Sequence, residues 1–251
     1  MRKAIVGLVL MVASAILTAP VFAFDEVFQQ TFPLPAGGVF ELQNVNGSVH
    51  VSGWDRNEVE VYAKKSAETS AADLKRVTIE VSARPDSVSV QTRYPEGDGV
   101  EVSVEYHIRV PYRVQLRRIS TVNGAVRVFS LETSGELRSV NGNIEVFDTA
   151  GRLNVRTTNG NVRMDLRQLD AGSPLSLETM NGSVVLGLPA DAGAELDVRS
   201  LNGDFRSELP VTLEGSVGSR EFRGRLGPGG STIRIRTVNG GIRVVTTRPT
   251  V

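Results

Sequence analysis

The sequence predicts an all-β chain: a single-stranded, β-helix-like β-solenoid of about 18–22-residue coils with an N-terminal mixed β cap. Three observations predict it. Asn-Gly recurs seven times, at Asn46-Gly47, Asn123-Gly124, Asn141-Gly142, Asn159-Gly160, Asn181-Gly182, Asn202-Gly203 and Asn239-Gly240. Apolar residues alternate with polar ones on both sides of each pair, which is strand patterning about a turn. Ser or Thr stands two residues before the Asn in six of the seven, with Asn44 the departure.

Residues 1–23 read as a secretory signal. Arg2 and Lys3 precede a mostly apolar run from Ala4 to Ala19, and Val21-Phe22-Ala23 supplies small residues for cleavage after Ala23. The run holds 16 residues and is diluted by Gly7, Ser14 and Thr18, short of the roughly 20 that span a bilayer. No later segment is long and apolar enough, and without cysteine no lipid can be attached through one. An exported product with no transmembrane anchor is expected, periplasmic or at the cell surface.

Residues 24–112 are expected to hold the first coil and an acidic, β-rich cap or lateral insertion. The coil spans the first Asn-Gly. Alternation marks strands at Glu58 to Ala63, Arg76 to Ala83, Ser87 to Arg93 and Val100 to Val110. Thr69 to Leu74 suits a short helix capped by Thr69 or Ser70. Open solenoid ends expose unpaired backbone, so a capping role follows.

Residues 113–251 form the repeat region. From Asn123 the Asn spacings are 18, 18, 22, 21 and 37, the last as if one degenerate turn had lost its marker around Glu214 to Arg220. Aliphatics stand four residues before the later Asn (Leu137, Val155, Leu177, Val198, Ile235), and Val49, Val126, Ile144, Val162, Val184, Phe205 and Ile242 stand three after. Second corners follow at Asp148-Thr149-Ala150-Gly151, Asp170-Ala171-Gly172 and Asp191-Ala192-Gly193.

A meander of stacked Asn-Gly β-hairpins is the rival fold, because a type I′ turn takes this dipeptide at positive φ. Residue identity separates the two. In a solenoid, equivalent Asn and Ser/Thr side chains lie one strand spacing apart, about 4.8 Å, and can form hydrogen-bonded ladders. In a meander they lie two strands apart, and identity gains nothing.

The closing run Gly227-Pro228-Gly229-Gly230 and Ser231 to Val244, the repeated Thr/Ser-x-Asn-Gly-x-Val-x-Val units and the early Asn46-to-Asp55 segment resemble the putative-adhesin β-strand-repeat family of bacterial envelope proteins. The resemblance covers most of residues 36–246. It implies a β-helix-like solenoid with non-enzymatic surface roles, some linked to envelope stress, and it carries over no catalytic residue.

Composition excludes more chemistry than it suggests. The chain of 251 residues has 28 basic and 28 acidic side chains, two His and no Cys. Disulfides, thiol chemistry and Cys-bound zinc are therefore absent. Neutrality is a cancellation: residues 24–112 hold 8 basic and 14 acidic side chains, whereas residues 113–251 hold 18, all Arg, against 14. His50 and His107, 57 residues apart, read as surface residues within strand patterns. No phosphate loop, His-Glu-x-x-His pair or Gly-x-Ser-x-Gly elbow occurs, and no cofactor is expected.

A polysaccharide-active enzyme on a β-helix is the alternative function. It needs two converging carboxyls, but Glu145 and Glu178 fall at unmatched offsets. Asp148, Asp170 and Asp191 align at Gly corners, where Asp is ordinary turn chemistry. A calcium reading of that corner lacks the Gly-Gly-x-Gly-x-Asp pattern. Arginines recur at two outward offsets: Arg138, Arg156, Arg199 and Arg236 three before the Asn, interrupted by Glu178, and Arg127, Arg163, Arg206 and Arg243 four after, interrupted by Glu145 and Val185. Stacking would align them into one or two stripes suited to phosphate or carboxylate. The expected partner is an envelope or surface ligand, such as an anionic glycan, lipid headgroup or protein. Nucleic acid is disfavoured, because no Tyr or Trp follows Tyr112 to stack on bases.

Overall fold

Strands β1 (Phe24–Pro33), β2 (Val39–Gln43), β3 (Val49–Trp54) and β4 (Glu58–Ala67) precede helix α1 (Ala71–Arg76), and β5 (Thr78–Arg84), β6 (Ser87–Arg93) and β7 (Val102–Pro111) follow it. The repeat region contributes β8 (Arg113–Asn123), β9 (Val126–Asn141), β10 (Ile144–Asn159), β11 (Val162–Leu166), β12 (Leu175–Asn181) and β13 (Val184–Leu188). Its remainder holds β14 (Ala194–Asn202), β15 (Phe205–Ser207), β16 (Val211–Leu213), β17 (Glu221–Leu226), β18 (Ser231–Asn239) and β19 (Ile242–Thr246). This computed structural model describes residues 24–95, 97, 99–213 and 220–247. The signal expected over 1–23, with its cleavage after Ala23, lies outside them, and so does most of the degenerate turn expected at Glu214 to Arg220.

The fold is a β-solenoid with an open sheet. Each coil climbs one face to an Asn-Gly corner, descends a second face, and turns a second corner into the next coil. Face A stacks β2, β8, residues 131–141 of β9, residues 149–159 of β10, β12, β18 and β14, all parallel. Face B stacks β3, the first residues of β9 and β10, β11, β13, β19 and β15, again parallel. The parallel pairing rules out the hairpin meander, which needs each strand to pair antiparallel with the next across its Asn-Gly turn.

Period follows corner type. In β9 and β10 the second corner is a kink inside one 16-residue strand, at Ser130 (φ 52°) and Asp148 (φ 52°). Those coils give the 18-residue spacings. Where the corner becomes a loop, between β11 and β12 and between β13 and β14, spacing rises to 22 and 21.

Chain order and stacking order part company twice. β18–β19, last in sequence, insert between β12–β13 and β14–β15. The 37-residue spacing accommodates an excursion: β17 pairs antiparallel with β14, and β16 with β17. At the other end, β6 and β7 pair parallel with β2 and β3 and add a coil-like level outside them. β5 then closes face A antiparallel, and β4 and β1 close face B. The expected strands of this region appear with small boundary shifts, and the helix begins at Ala71, two residues after Thr69, with Ser70 as N-cap accepting from the Ala72 N–H.

Inward side chains of both faces form one core. The +3 residues Val49, Val126, Ile144, Val162, Val184 and Ile242 are all fully buried, as are Leu137, Val155, Leu177 and Ile235 at −4. Alternation puts their neighbours outside. Those outward rows are where any ligand must meet the protein.

Candidate functional site: the corner ladder and the outward arginine rows

At the first corner the repeated residues are consumed by one another. Asn123 donates through Nδ2 to Asn46 Oδ1 at 2.8 Å, and the chain continues from Asn141 to Asn123, Asn159 to Asn141, Asn181 to Asn159, Asn239 to Asn181 and Asn202 to Asn239, each at 2.7–2.9 Å. Beneath it the −2 hydroxyl of each coil donates to a glycine carbonyl of its neighbour: Thr121 to Gly47, Ser139 to Gly124, Thr157 to Gly142, Thr179 to Gly160, Thr237 to Gly182 and Ser200 to Gly240. These hydroxyls are buried, so the bonds satisfy groups that water cannot reach. Asn44, the departure from Ser/Thr, marks where the array meets the cap. Its Nδ2 donates to the Asn46, Gly47 and Val104 carbonyls, and its Oδ1 accepts from Thr92, which also bonds the buried Tyr106 hydroxyl.

The arginines expected as one or two stripes form two, on different faces. On face A the register runs Arg138, Arg156, Glu178, Arg236, Arg199, with Glu221 of β17 beyond. Most of this row is ion-paired: Arg156 with Glu178 at 2.7 Å, Arg199 with Glu221 at 2.9 Å, and Arg236 with Asp197 at 3.3 Å. Asp197 is shared with Arg234 at 3.6 Å and Arg199 at 3.7 Å, so three guanidiniums surround one carboxylate. Asp197 Oδ1 and Arg199 Nε, both buried, make no hydrogen bond.

The same stretch forms an open depression of about 560 Å³. Arg156, Arg199, Arg220 and Arg236 line it against Glu178 and Glu221, and Met180, Leu201 and Val238 form its apolar side. Met180 and Leu201 are about half exposed. They occupy the −1 position, a row that the sequence reading left without a role. Its signal was present in the apolar residue directly before several of the Asn residues.

On face B the +4 row runs His50, Arg127, Glu145, Arg163, Val185, Arg243, Arg206. Arg127 pairs with Glu145 at 2.7 Å, Arg163 with Asp165 at 3.0 Å and Arg206 with Asp204 at 3.6 Å. Here the structure joins two residues that the sequence separates. β3 and β7 put His50 beside His107, ring centroids 4.8 Å apart. Glu105 Oε1 lies 3.2 Å from His107 Nε2 and 3.9 Å from His50 Nε2. Arg127 can only donate, so its 3.2 Å contact makes His50 Nε2 an acceptor and the ring neutral. Burial lowers the His50 pKa from its ordinary value; His107 and Arg127 add to the lowering, while Glu105 and Glu145 oppose it. His50 was legible as an outward residue. Its partner was not, because β7 joins the stack without an Asn-Gly marker.

Glu145 and Glu178 do not converge, since one is on face B and the other on face A. Asp148 serves its corner, accepting from Ser130 at 2.9 Å and pairing with Arg167 at 3.0 Å. Among the described residues no group of three or more His, Asp or Glu is arranged to hold a metal ion, and no helix is long and apolar enough to cross a membrane.

A family model described as Toastrack DUF4097 matches residues 40–245. No curated protein sequence matches the chain. Among solved structures, a putative cell adhesion protein from Clostridium sporogenes ATCC 15579 is similar, with 11% identity, 88% of this chain and 100% of that one covered, and a TM-score of 0.45. A putative adhesin from Bacteroides fragilis NCTC 9343 has 10% identity over 87% of this chain and 97% of its own, with a TM-score of 0.35. A putative adhesin from Parabacteroides distasonis ATCC 8503 has 12% identity over the same shares, with a TM-score of 0.27.

Proposed function

The chain belongs to the Toastrack DUF4097 family, and from that premise we propose that it is an exported, non-enzymatic binding module of the bacterial cell envelope, adhesin-like in role. Its ligand is anionic and docks on face A. A link to envelope stress belongs to the same reading, through the family resemblance alone.

The observation that carries the reading is the composition of the depression. Four arginines line it against two glutamates, and an apolar row stands beside them. Asp197 alone faces three guanidiniums. Guanidinium forks match carboxylate and phosphate geometry, and a bound anion would supply the negative charge that the neighbouring carboxylates leave short. The apolar edge suits a ligand with a non-polar backbone or chain. Face B also carries four arginines in its row, but none of them lines the depression, and it serves as the internal comparison.

The test is a binding titration with three probes: an anionic polysaccharide, vesicles containing an anionic lipid, and an acidic peptide. Replacing Arg199 and Arg236 with Ala should weaken the bound probe by about tenfold or more, as expected for charge-assisted hydrogen bonds. Arg163→Ala with Arg243→Ala, on face B, should leave it unchanged, and added salt should weaken it. Equal effects from the two faces would overturn the site. Polysaccharide turnover abolished by one carboxylate substitution would overturn the non-enzymatic reading.

A further inference from the structure

At the N-terminal end of the stack, face B runs one strand past face A. β1 pairs antiparallel with β4 along all ten of its residues, whereas face A ends at β5. Helix α1 packs against β1 and β4 at this end, burying Leu74. Lys65 fastens the junction: its Nζ donates to the Leu74 and Val77 carbonyls and pairs with Glu26 of β1 at 2.8 Å.

The outer edge of β1 makes no backbone hydrogen bond among the described residues. Its character differs from the other three edges of the stack. β15 and β16, at the far end, are three residues long, and Pro210 precedes β16. β5 carries exposed Glu80 and Arg84. Short strands, proline and charge are the usual means of blunting an edge. β1 has none of them between Val27 and Phe32, where Val-Phe-Gln-Gln-Thr-Phe runs without charge, Gly or Pro. Its acids, Asp25 and Glu26, are neutralised by Lys64 and Lys65 of the neighbouring β4, each at 2.8 Å. Val27 is 55% exposed.

We propose that β1 pairs antiparallel with the β1 of a second copy of this chain, making an isologous dimer in which face B is continuous. A two-fold axis perpendicular to the sheet preserves its faces, so residues of like parity oppose each other. Centred on Gln29, the pairing sets Val27 against Thr31 and Phe28 against Gln30, and no like charges meet. A closed two-fold contact removes the edge from solution, whereas an open one leaves it as a template for further pairing. The far edges, being short, do not compete for it.

The chain has no cysteine, which makes a disulfide test clean. Gln29→Cys, Val27→Cys and Thr31→Cys are oxidised separately, with Arg206→Cys on β15 as control. The expected result is a disulfide-linked dimer that forms at one β1 position in preference to the other two, and not at Arg206→Cys. Sedimentation of the unaltered chain should show a dimer. Val27→Lys with Thr31→Lys, which opposes lysines across the axis, should give a monomer with unchanged circular dichroism. A monomer at every concentration, crosslinking without positional preference, or a monomer that gains a strand only from an added peptide would each overturn the proposal.

Discussion

A Cβ built on Gly142 falls 1.9 Å from the Gly124 carbonyl oxygen, and the equivalent atom on Gly160 or Gly182 falls 2.2 or 2.0 Å from the glycine carbonyl of the next coil. Glycine is therefore required here by contact. The turn chemistry expected from Asn-Gly, positive φ, holds at Gly47 (φ 116°) and Gly240 (φ 155°) but not at Gly142. The two causes make different predictions. If torsion were the constraint, Asn would be tolerated better than Ala, since Asn visits the left-handed region. Contact with backbone penalises both. Gly142→Ala and Gly142→Asn should each destabilise by more than about 1 kcal/mol, read as a fall in melting temperature. A mild Asn variant beside a severe Ala one would restore the torsional explanation.

Among the elements, the β3–β7 pair has the clearest consequence. Its neutral His50 binds protons less readily folded than unfolded, because burial and the neighbouring Arg127 and His107 disfavour the imidazolium. The unfolded chain then holds the extra proton, so stability rises with pH across this window. Melting temperature should be highest above about pH 6.5 and fall as acid protonates the ring. His50→Gln should flatten that slope between about pH 7.5 and about pH 5. An unchanged slope would assign the acid loss to other groups. At the same scale, alternation alone gave the strands of residues 54–112 to within a few residues. It could not give their neighbours, because register between non-consecutive strands is decided by packing.

At the scale of the molecule, the displaced final coil matters most. β18–β19 hold β14–β15 away from β12–β13, so residues 231–246 are internal to the stack. Removing residues 231–251 should not simply shorten the solenoid by one unit. It leaves β12–β13 and β14–β15 without the partners between them, and residues 194–213 and 220–226 should lose protection in hydrogen exchange while the coils built from β8 to β11 retain it. If only the truncated end loses protection, the stacking order is wrong.

The sequence by itself determined what one coil is. Alternation set the inward and outward residues, and recurrence of Asn and Ser/Thr set the ladders, because identical polar residues gain from repetition only when stacked one strand spacing apart. Those ladders are bonds between equivalent residues, so a repeat is enough to read them. Three things were decided only by the tertiary structure: which coil lies beside which, the meeting of His50 with His107, and the gathering of Arg199, Arg234 and Arg236 around Asp197. Each depends on strands that return to the stack out of order after an antiparallel excursion. Local patterning is indifferent to such a return, since β18 presents the same alternating edge to β12 as β14 would have done.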